Sequence, residues 1–279
     1  MIKAKKSLGQ NFLTDQRVAR QIIDAVSPRP TDVIVEIGPG TGALTRMLVE
    51  RGGYVEAVEI DARLAGELRR SVQTDKLSIV TADALTLDWS KLITDATAKL
   101  DLLRHDDESR PRVRIVANLP YYISTPIIER LMSLGRNVFD MTLMLQREVA
   151  DRIATGPGGR DYGYLSVMVQ YYCEAWKLFD VSASAFTPSP KVQSAVIRLK
   201  VREMPAVEVA DPGKFFALVK ALFAQRRKTI LNNLKAAPIS LEITQPLESA
   251  LKAAFVDPRR RAETLSIEEF AALGLELFR

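Results

Sequence analysis

Ten residues, Val33-Ile34-Val35-Glu36-Ile37-Gly38-Pro39-Gly40-Thr41-Gly42, limit the fold of this chain more than any other stretch. A short apolar run bounded by turn residues reads as a buried strand. The glycines after it let the backbone take positive φ and approach a ligand with no Cβ in the way. A helical stretch from Ala43 to Glu50 follows. Strand, glycine turn and helix in this order open a doubly wound α/β sheet, whose ligands gather beyond the carboxyl ends of the strands. The rhythm continues: apolar runs at 33–37, 54–58, 77–82, 113–117 and 141–145 alternate with amphipathic stretches such as 17–26, 61–73 and 125–134. That alternation predicts a parallel sheet covered by helices.

Four residues stand at the carboxyl ends of those runs: Gly38, Glu59, Asp83 and Asn118. Glu59 lies about 20 residues beyond the glycine turn, where a doubly wound fold places a carboxylate on ribose hydroxyls. Gly38 and Gly40 belong to a GxGxG spacing rather than GxGxxG, and a dinucleotide would fit such a loop about as well as another adenosine-bearing cofactor. Glu36, the altered spacing and the later Asn-Leu-Pro-Tyr favour S-adenosylmethionine. The Asp83 carboxylate can accept from an adenine amine, and equally can serve as a helix N-cap.

Asn118-Leu119-Pro120-Tyr121-Tyr122-Ile123-Ser124 places an amide, a kinked backbone and a ring at the end of one strand. A strand followed by a proline turn is an ordinary reading of Asn-x-Pro. The chemistry nonetheless suits a flat base, because the Asn118 oxygen and the Leu119 carbonyl before Pro120 can accept from an exocyclic amine while Tyr121 stacks on the ring. The lone pair of that amine is delocalised into the heterocycle, so directing its hydrogens out of plane is what makes it nucleophilic. Phe186 is the candidate for the second face of the base, and it also fits core packing beside Pro188 and Pro190.

Read together, these segments resemble the ribosomal RNA adenine dimethyltransferase family, of the small-subunit type, over nearly the whole length. Ser7-Leu8-Gly9-Gln10-Asn11-Phe12-Leu13 is similar to the family's opening segment, which implies that Asn11 and Leu13 fold over the methionine end of the cofactor. Glu36 to Thr45, Glu59, Asp83 and the Asn118 loop match in order, followed by Gln146 to Arg152 and Asp161 to Val167. Phe186-Thr187-Pro188-Ser189-Pro190-Lys191-Val192 and Phe223-Ala224-Gln225-Arg226-Arg227-Lys228-Thr229 resemble the late motifs. Tyr122 stands where many bacterial members carry Asn or His. The resemblance implies an S-adenosylmethionine-dependent enzyme with a Rossmann-like sheet and a smaller C-terminal all-α domain. Its substrate would be two adjacent adenosines in a hairpin near the 3′ end of 16S rRNA, in an immature 30S particle, each carried to the N6,N6-dimethyl form. A relative that methylates one adenine of large-subunit RNA and a binding-only ribosome-assembly factor are the alternatives.

Charge locates the expected partner. The first 180 residues hold 24 Lys+Arg and 24 Asp+Glu, whereas the last 99 hold 15 and 10, so the whole net charge of +5 lies in the final third. Arg226-Arg227-Lys228 and Arg259-Arg260-Arg261, with Lys3, Lys5 and Lys6, are the expected phosphate contacts. A single such cluster would also fit a solvated face. The pattern predicts a methyltransferase domain over 1–200 and a helical RNA-binding domain over 201–279. In the latter, Asp211 precedes a long helix from Lys214 to Lys235, then 247–255, then a capping box at Ser266-Ile267-Glu268-Glu269. The charged stretch between Leu92 and Arg112 reads as a surface loop.

No run of 18 apolar residues appears and the N-terminus lacks a signal-peptide pattern, so a cytoplasmic, membrane-free protein is expected, with a monomer as the default since no feature of the sequence encodes oligomeric state. Cys173 and His105 are the only residues of their kinds. Cys173 reads as a buried small hydrophobe, and neither residue suggests a metal site.

Overall fold

The computed structural model describes residues 4–103, 111–238 and 241–279. Lys3, and His105 with the charged run around it, lie outside the described residues. The chain divides into two compact units, 1–150 with 176–201 and 151–175 with 202–279.

The first unit is built on a sheet. Its strands are β1 (Phe12–Leu13), β2 (Asp32–Ile37), β3 (Tyr54–Glu59), β4 (Leu77–Thr81), β5 (Arg112–Asn118), β6 (Asp140–Gln146), β7 (Cys173–Val181), β8 (Phe186–Thr187) and β9 (Ser194–Val201). Seven of them form one sheet in the order β4-β3-β2-β5-β6-β9-β7, and β1 with β8 form a separate two-stranded ladder. Neighbours from β4 to β6 are parallel, while β9 runs antiparallel to β6. Every residue of β2 and β3 is buried, as a parallel sheet with both faces covered requires. Helices α1 (Gln16–Val26), α2 (Thr45–Arg51), α3 (Ala62–Ser71), α4 (Trp89–Leu103) and α5 (Ser124–Met132) fall between these strands, and α6 (Arg147–Ala154) follows β6.

The expected loop after Leu92 is helix as far as Leu103. Trp89, Leu92, Ile93, Ala96 and Leu100 bury one face of α4, and the charged Lys91, Asp95, Lys99 and Asp101 between them obscure the periodicity. At the opposite ends of the strands, Arg114 is 3 % exposed. Its Nε meets Asp32 Oδ2 at 2.8 Å and its Nη1 meets Asp140 Oδ2 at 2.9 Å and the Val26 carbonyl at 3.0 Å. Asp140 is also paired with Arg198. One guanidinium therefore ties the beginnings of β2, β5 and β6, and its planar fork suits that task.

The second unit is helical: α7 (Tyr164–Tyr172), α8 (Pro212–Leu222), α9 (Ile230–Lys235), α10 (Leu247–Ala253) and α11 (Ile267–Leu277). The predicted boundary after residue 200 differs from this division, because Tyr162, Val167 and Tyr171 share one apolar core with Phe215, Leu218 and Phe270. The predicted helix from Lys214 to Lys235 is two helices. Asn233 Nδ2 donates to the Leu222 and Gln225 carbonyls, and the Thr229 side chain accepts from the Asn232 N–H, so one helix is ended and the next begun. The capping box at Ser266 and Glu269 is formed as predicted. Cys173 is buried, and burial pushes its thiol up to about 12. Among the described residues no helix is long and apolar enough to cross a membrane.

Candidate active site

The glycine loop after β2 is shaped by φ values of +68° at Gly38 and +57° at Gly40. A Cβ on Gly40 would stand 3.2 Å from the Phe12 ring, tighter than most such contacts, so the bare glycine lets that ring pack closely on the loop. The Gly40 N–H donates to Glu59 Oε2 at 3.1 Å, and the Asp61 N–H donates to Glu59 Oε1 at 2.9 Å. Glu59 therefore braces the loop while keeping further lone pairs free for hydroxyl donors. Burial raises its carboxyl above the ordinary range, against the pull of those two N–H groups.

Glu36, just before the loop, is 2 % exposed. Its carboxyl is raised to about 7, first by burial and then by the charge of Glu59, with the Thr45 hydroxyl partly opposing the rise. Neither Glu36 Oε2 nor Thr45 Oγ1 has a hydrogen-bond partner of good geometry among the described residues. This buried oxygen belongs to a residue that lines the cavity, so it is available to a ligand group there.

After β4, Asp83 Oδ1 accepts from the Leu85 N–H at 2.9 Å. It anchors a turn rather than a helix, since α4 begins at Trp89. After β5, the Leu119 N–H donates to the Met144 carbonyl at 3.1 Å. Asn118 Nδ2 lies 3.2 Å from the Asn11 carbonyl. A carbonyl only accepts, so the amide must turn its NH2 to Asn11 and keep Oδ1 for another donor. The Tyr121 hydroxyl meets Ser194 Oγ at 2.6 Å, which pins the ring, and burial raises its phenol.

These groups converge. Asn11, Leu13, Gly38, Gly40, Glu59 and Asp83 all line a single open-mouthed cavity, together with Asn118, Leu119, Pro120 and Tyr121. Phe186 does not line it. Through β1 and β8 it pairs with Leu13, and it is 4 % exposed in a core with Ala19, Ile22 and Val181. The expected second stacking face is therefore a packed core ring in this conformation. Two contributors were not foreseen. Ser194 opens β9, an ordinary strand sequence with no local signal. Asp61, two residues beyond the end of β3 at Glu59, shows only the pattern of a helix N-cap.

The basic clusters lie in the second unit and differ from each other. Arg227 and Lys228 are exposed, while Arg226 donates to the Arg160 carbonyl. Arg259 is paired with Asp257, Arg261 approaches Glu263 at 4.0 Å, and Arg260 is forked onto Glu269 and Thr264. Arg260 thus braces the start of α11, which is not the free phosphate contact the sequence suggested. Among the described residues no group of three His, Cys, Asp or Glu could hold a metal ion.

S-adenosylmethionine fits these walls: Glu59 for hydroxyls, Asp83 for an amine, and an open acceptor at Glu36. Comparison with known proteins agrees. The sequence model described as "Ribosomal RNA adenine dimethylase" matches residues 1–276. "Ribosomal RNA small subunit methyltransferase A" of Geobacillus kaustophilus is 46 % identical over 272 residues, covering 97 % of this chain and 89 % of that protein. The protein of the same name from Anoxybacillus flavithermus is 44 % identical over 276 residues, 98 % and 90 % of the two lengths. Among solved structures, a dimethyladenosine transferase from Plasmodium falciparum superposes with a TM-score of 0.77 at 24 % identity, covering 94 % of this chain and 95 % of that one. The 23S rRNA methyltransferase ErmE gives 0.68 at 26 %, covering 96 % and 100 %. This chain belongs to the ribosomal RNA adenine dimethylase family.

Proposed function

We propose that this protein is an S-adenosylmethionine-dependent methyltransferase that dimethylates the N6 amines of two adjacent adenosines in a hairpin near the 3′ end of 16S rRNA. The observation that carries the reading is the Asn118 amide, whose NH2 is held by Asn11 and whose oxygen remains for an incoming amine, on the same cavity wall as Glu59 and Asp83. The names of the relatives at 42–46 % identity favour the small subunit over the large one.

S-adenosylmethionine, when bound, supplies an electrophilic methyl group on a sulfonium sulfur. The chain supplies position and dipoles. Asn118 Oδ1 and the Leu119 carbonyl accept the two amine hydrogens in the first transfer and compete for the one that remains in the second, drawing them out of the ring plane and freeing the lone pair for in-line attack. Positive charge grows on the nitrogen during transfer, and these fixed oxygen dipoles stabilise it without reorganising. Tyr121, held by Ser194, offers a rigid face for stacking, worth about 1–3 kcal/mol per base. No side chain need act as a strong base, because the amine proton becomes acidic once the nitrogen is alkylated. Arg227 and Lys228 supply sequence-independent attraction for RNA, in our reading that of an immature 30S particle met by a monomer.

Asn118→Ala should lower methyl transfer by roughly 100- to 1000-fold, the usual cost of removing one such dipole, with S-adenosylmethionine affinity far less affected. Wild-type turnover by folded variant would refute the assignment. Labelled donor offered to unmodified 30S and 50S particles, with the modified base mapped, separates the small-subunit reading from the large-subunit alternative. Labelling of neither particle would favour a binding-only assembly factor.

A further inference from the structure

The segment that carries Asn11 is clamped from outside the cavity. Lys5 Nζ stands 3.2 Å from Asp61 Oδ1, Gln10 Nε2 stands 3.3 Å from Asp61 Oδ2, and the Lys5 N–H donates to Gln10 Oε1 at 2.7 Å. The Asp61 side chain is 1 % exposed, against 43 % for Lys5. Hydrogen bonds from Arg63, then from Lys5 and Gln10, hold its carboxyl well below the usual range, so the clamp is charged at any working pH. Asn11 Nδ2 donates to the Gly9 carbonyl, and the Asn11 carbonyl accepts from Asn118. Gly9 turns at φ +58° directly beneath the Tyr122 ring, which leaves the segment little freedom to shift. A continuous set of contacts thus runs from Asp61 through Gln10 and Asn11 to Asn118.

We propose that Asp61 is a positioning residue for methyl transfer: by gripping Lys5 and Gln10 it fixes the Asn11 carbonyl, which dictates which end of the Asn118 amide meets the target amine. A carboxamide turned by 180° keeps its shape and exchanges its acceptor for a donor. A turned Asn118 would present NH2 to NH2 and could not draw the hydrogens out of plane. The Asn11 carbonyl selects the productive orientation, because only the NH2 end can face it. Asp61 also gives its N–H to Glu59, so the residue that braces the ribose acid sets the amide as well. The proposal rests on the reading of Asn118 as the amine acceptor.

The full-length protein with Lys5→Met, Lys5→Arg or Asp61→Asn tests it. Three quantities are read: S-adenosylmethionine affinity by calorimetry, single-turnover transfer to unmodified 30S at saturating donor, and the side-chain ¹⁵N–¹H signals of Asn118, identified by their loss in Asn118→Ala. Lys5→Met and Asp61→Asn should slow the saturated step by roughly ten- to a hundredfold, as small misplacements of reacting groups do. They should also shift the Asn118 signals, while Lys5→Arg keeps both near wild type. A segment that merely covers the donor would weaken affinity and leave the saturated rate unchanged, which overturns the proposal, as would unmoved Asn118 signals. Lys5 is half exposed, so its variants answer the question even if Asp61→Asn fails to fold. An active Asn118→Ala would instead remove the functional reading itself; an inactive Asn118→Ala beside a fully active Lys5→Met removes only the clamp.

Discussion

Glu36 is the residue whose burial has the most direct consequence in solution. In the unfolded chain its carboxyl titrates near the ordinary value of 4.5, whereas in the folded protein it titrates at about 7. The folded state therefore holds the proton longer. Its contribution to stability is fully present below the unfolded value and is lost as pH rises toward 7. The shift corresponds to roughly 3 kcal/mol at 1.36 kcal/mol per pH unit. Glu36→Gln cannot titrate, so denaturant unfolding at pH 5 and pH 8 should show the wild type losing ground to the variant as pH rises. Equal pH dependence in the two proteins would rule this out. At this scale the sequence was partly legible. Gly38, Glu59, Asp83 and Asn118 could be placed together because strand ends in a parallel sheet share one edge. Phe186 could not, because an aromatic beside prolines reads alike whether it meets a ligand or a core, and only its pairing with Leu13 decides.

Among elements, the beginnings of β2, β5 and β6 depend on Arg114. Removing it takes from Asp32 its ion-pair partner and leaves Asp140 with Arg198 alone, both carboxylates being about 2 % exposed or less. Arg114→Ala should cost about 3–5 kcal/mol, the usual penalty for orphaning a buried charge, measured by urea unfolding. A loss below 1 kcal/mol would mean that Arg198 alone satisfies Asp140. Strands β2, β3, β5 and β6 were visible as apolar runs because both faces are buried. Helix α4 was hidden because its exposed residues are charged and only its inner face repeats. The break between α8 and α9 was hidden because it depends on Asn233 reaching back to Leu222, a contact that no residue near the break announces.

For the whole molecule, the two basic clusters should separate by experiment. Arg227→Ala with Lys228→Ala should weaken RNA binding for all sequences and flatten its salt dependence, by roughly 0.7 in slope per lost single-strand phosphate contact. Arg260→Ala should instead lower thermal stability, by about 1 kcal/mol given that the pair is one-third exposed, and leave the salt slope unchanged. A flattened slope for Arg260→Ala would restore it as a phosphate contact. Net charge pointed to the last third of the chain but could not tell an arginine that faces water from one that holds a helix end.

The pairing of Phe12 and Leu13 with Thr187 and Phe186, and of Tyr121 with Ser194, also sets an order of events during synthesis. The glycine turn and the Asn118 loop emerge early, yet the partners that seat their covering segment and ring arrive some 70 to 170 residues later. A nascent chain halted before Ser194 would have the walls of the pocket without its fastenings. Firm seating of the covering segment and the ring is therefore expected only late in translation, after most of the sheet is already in place.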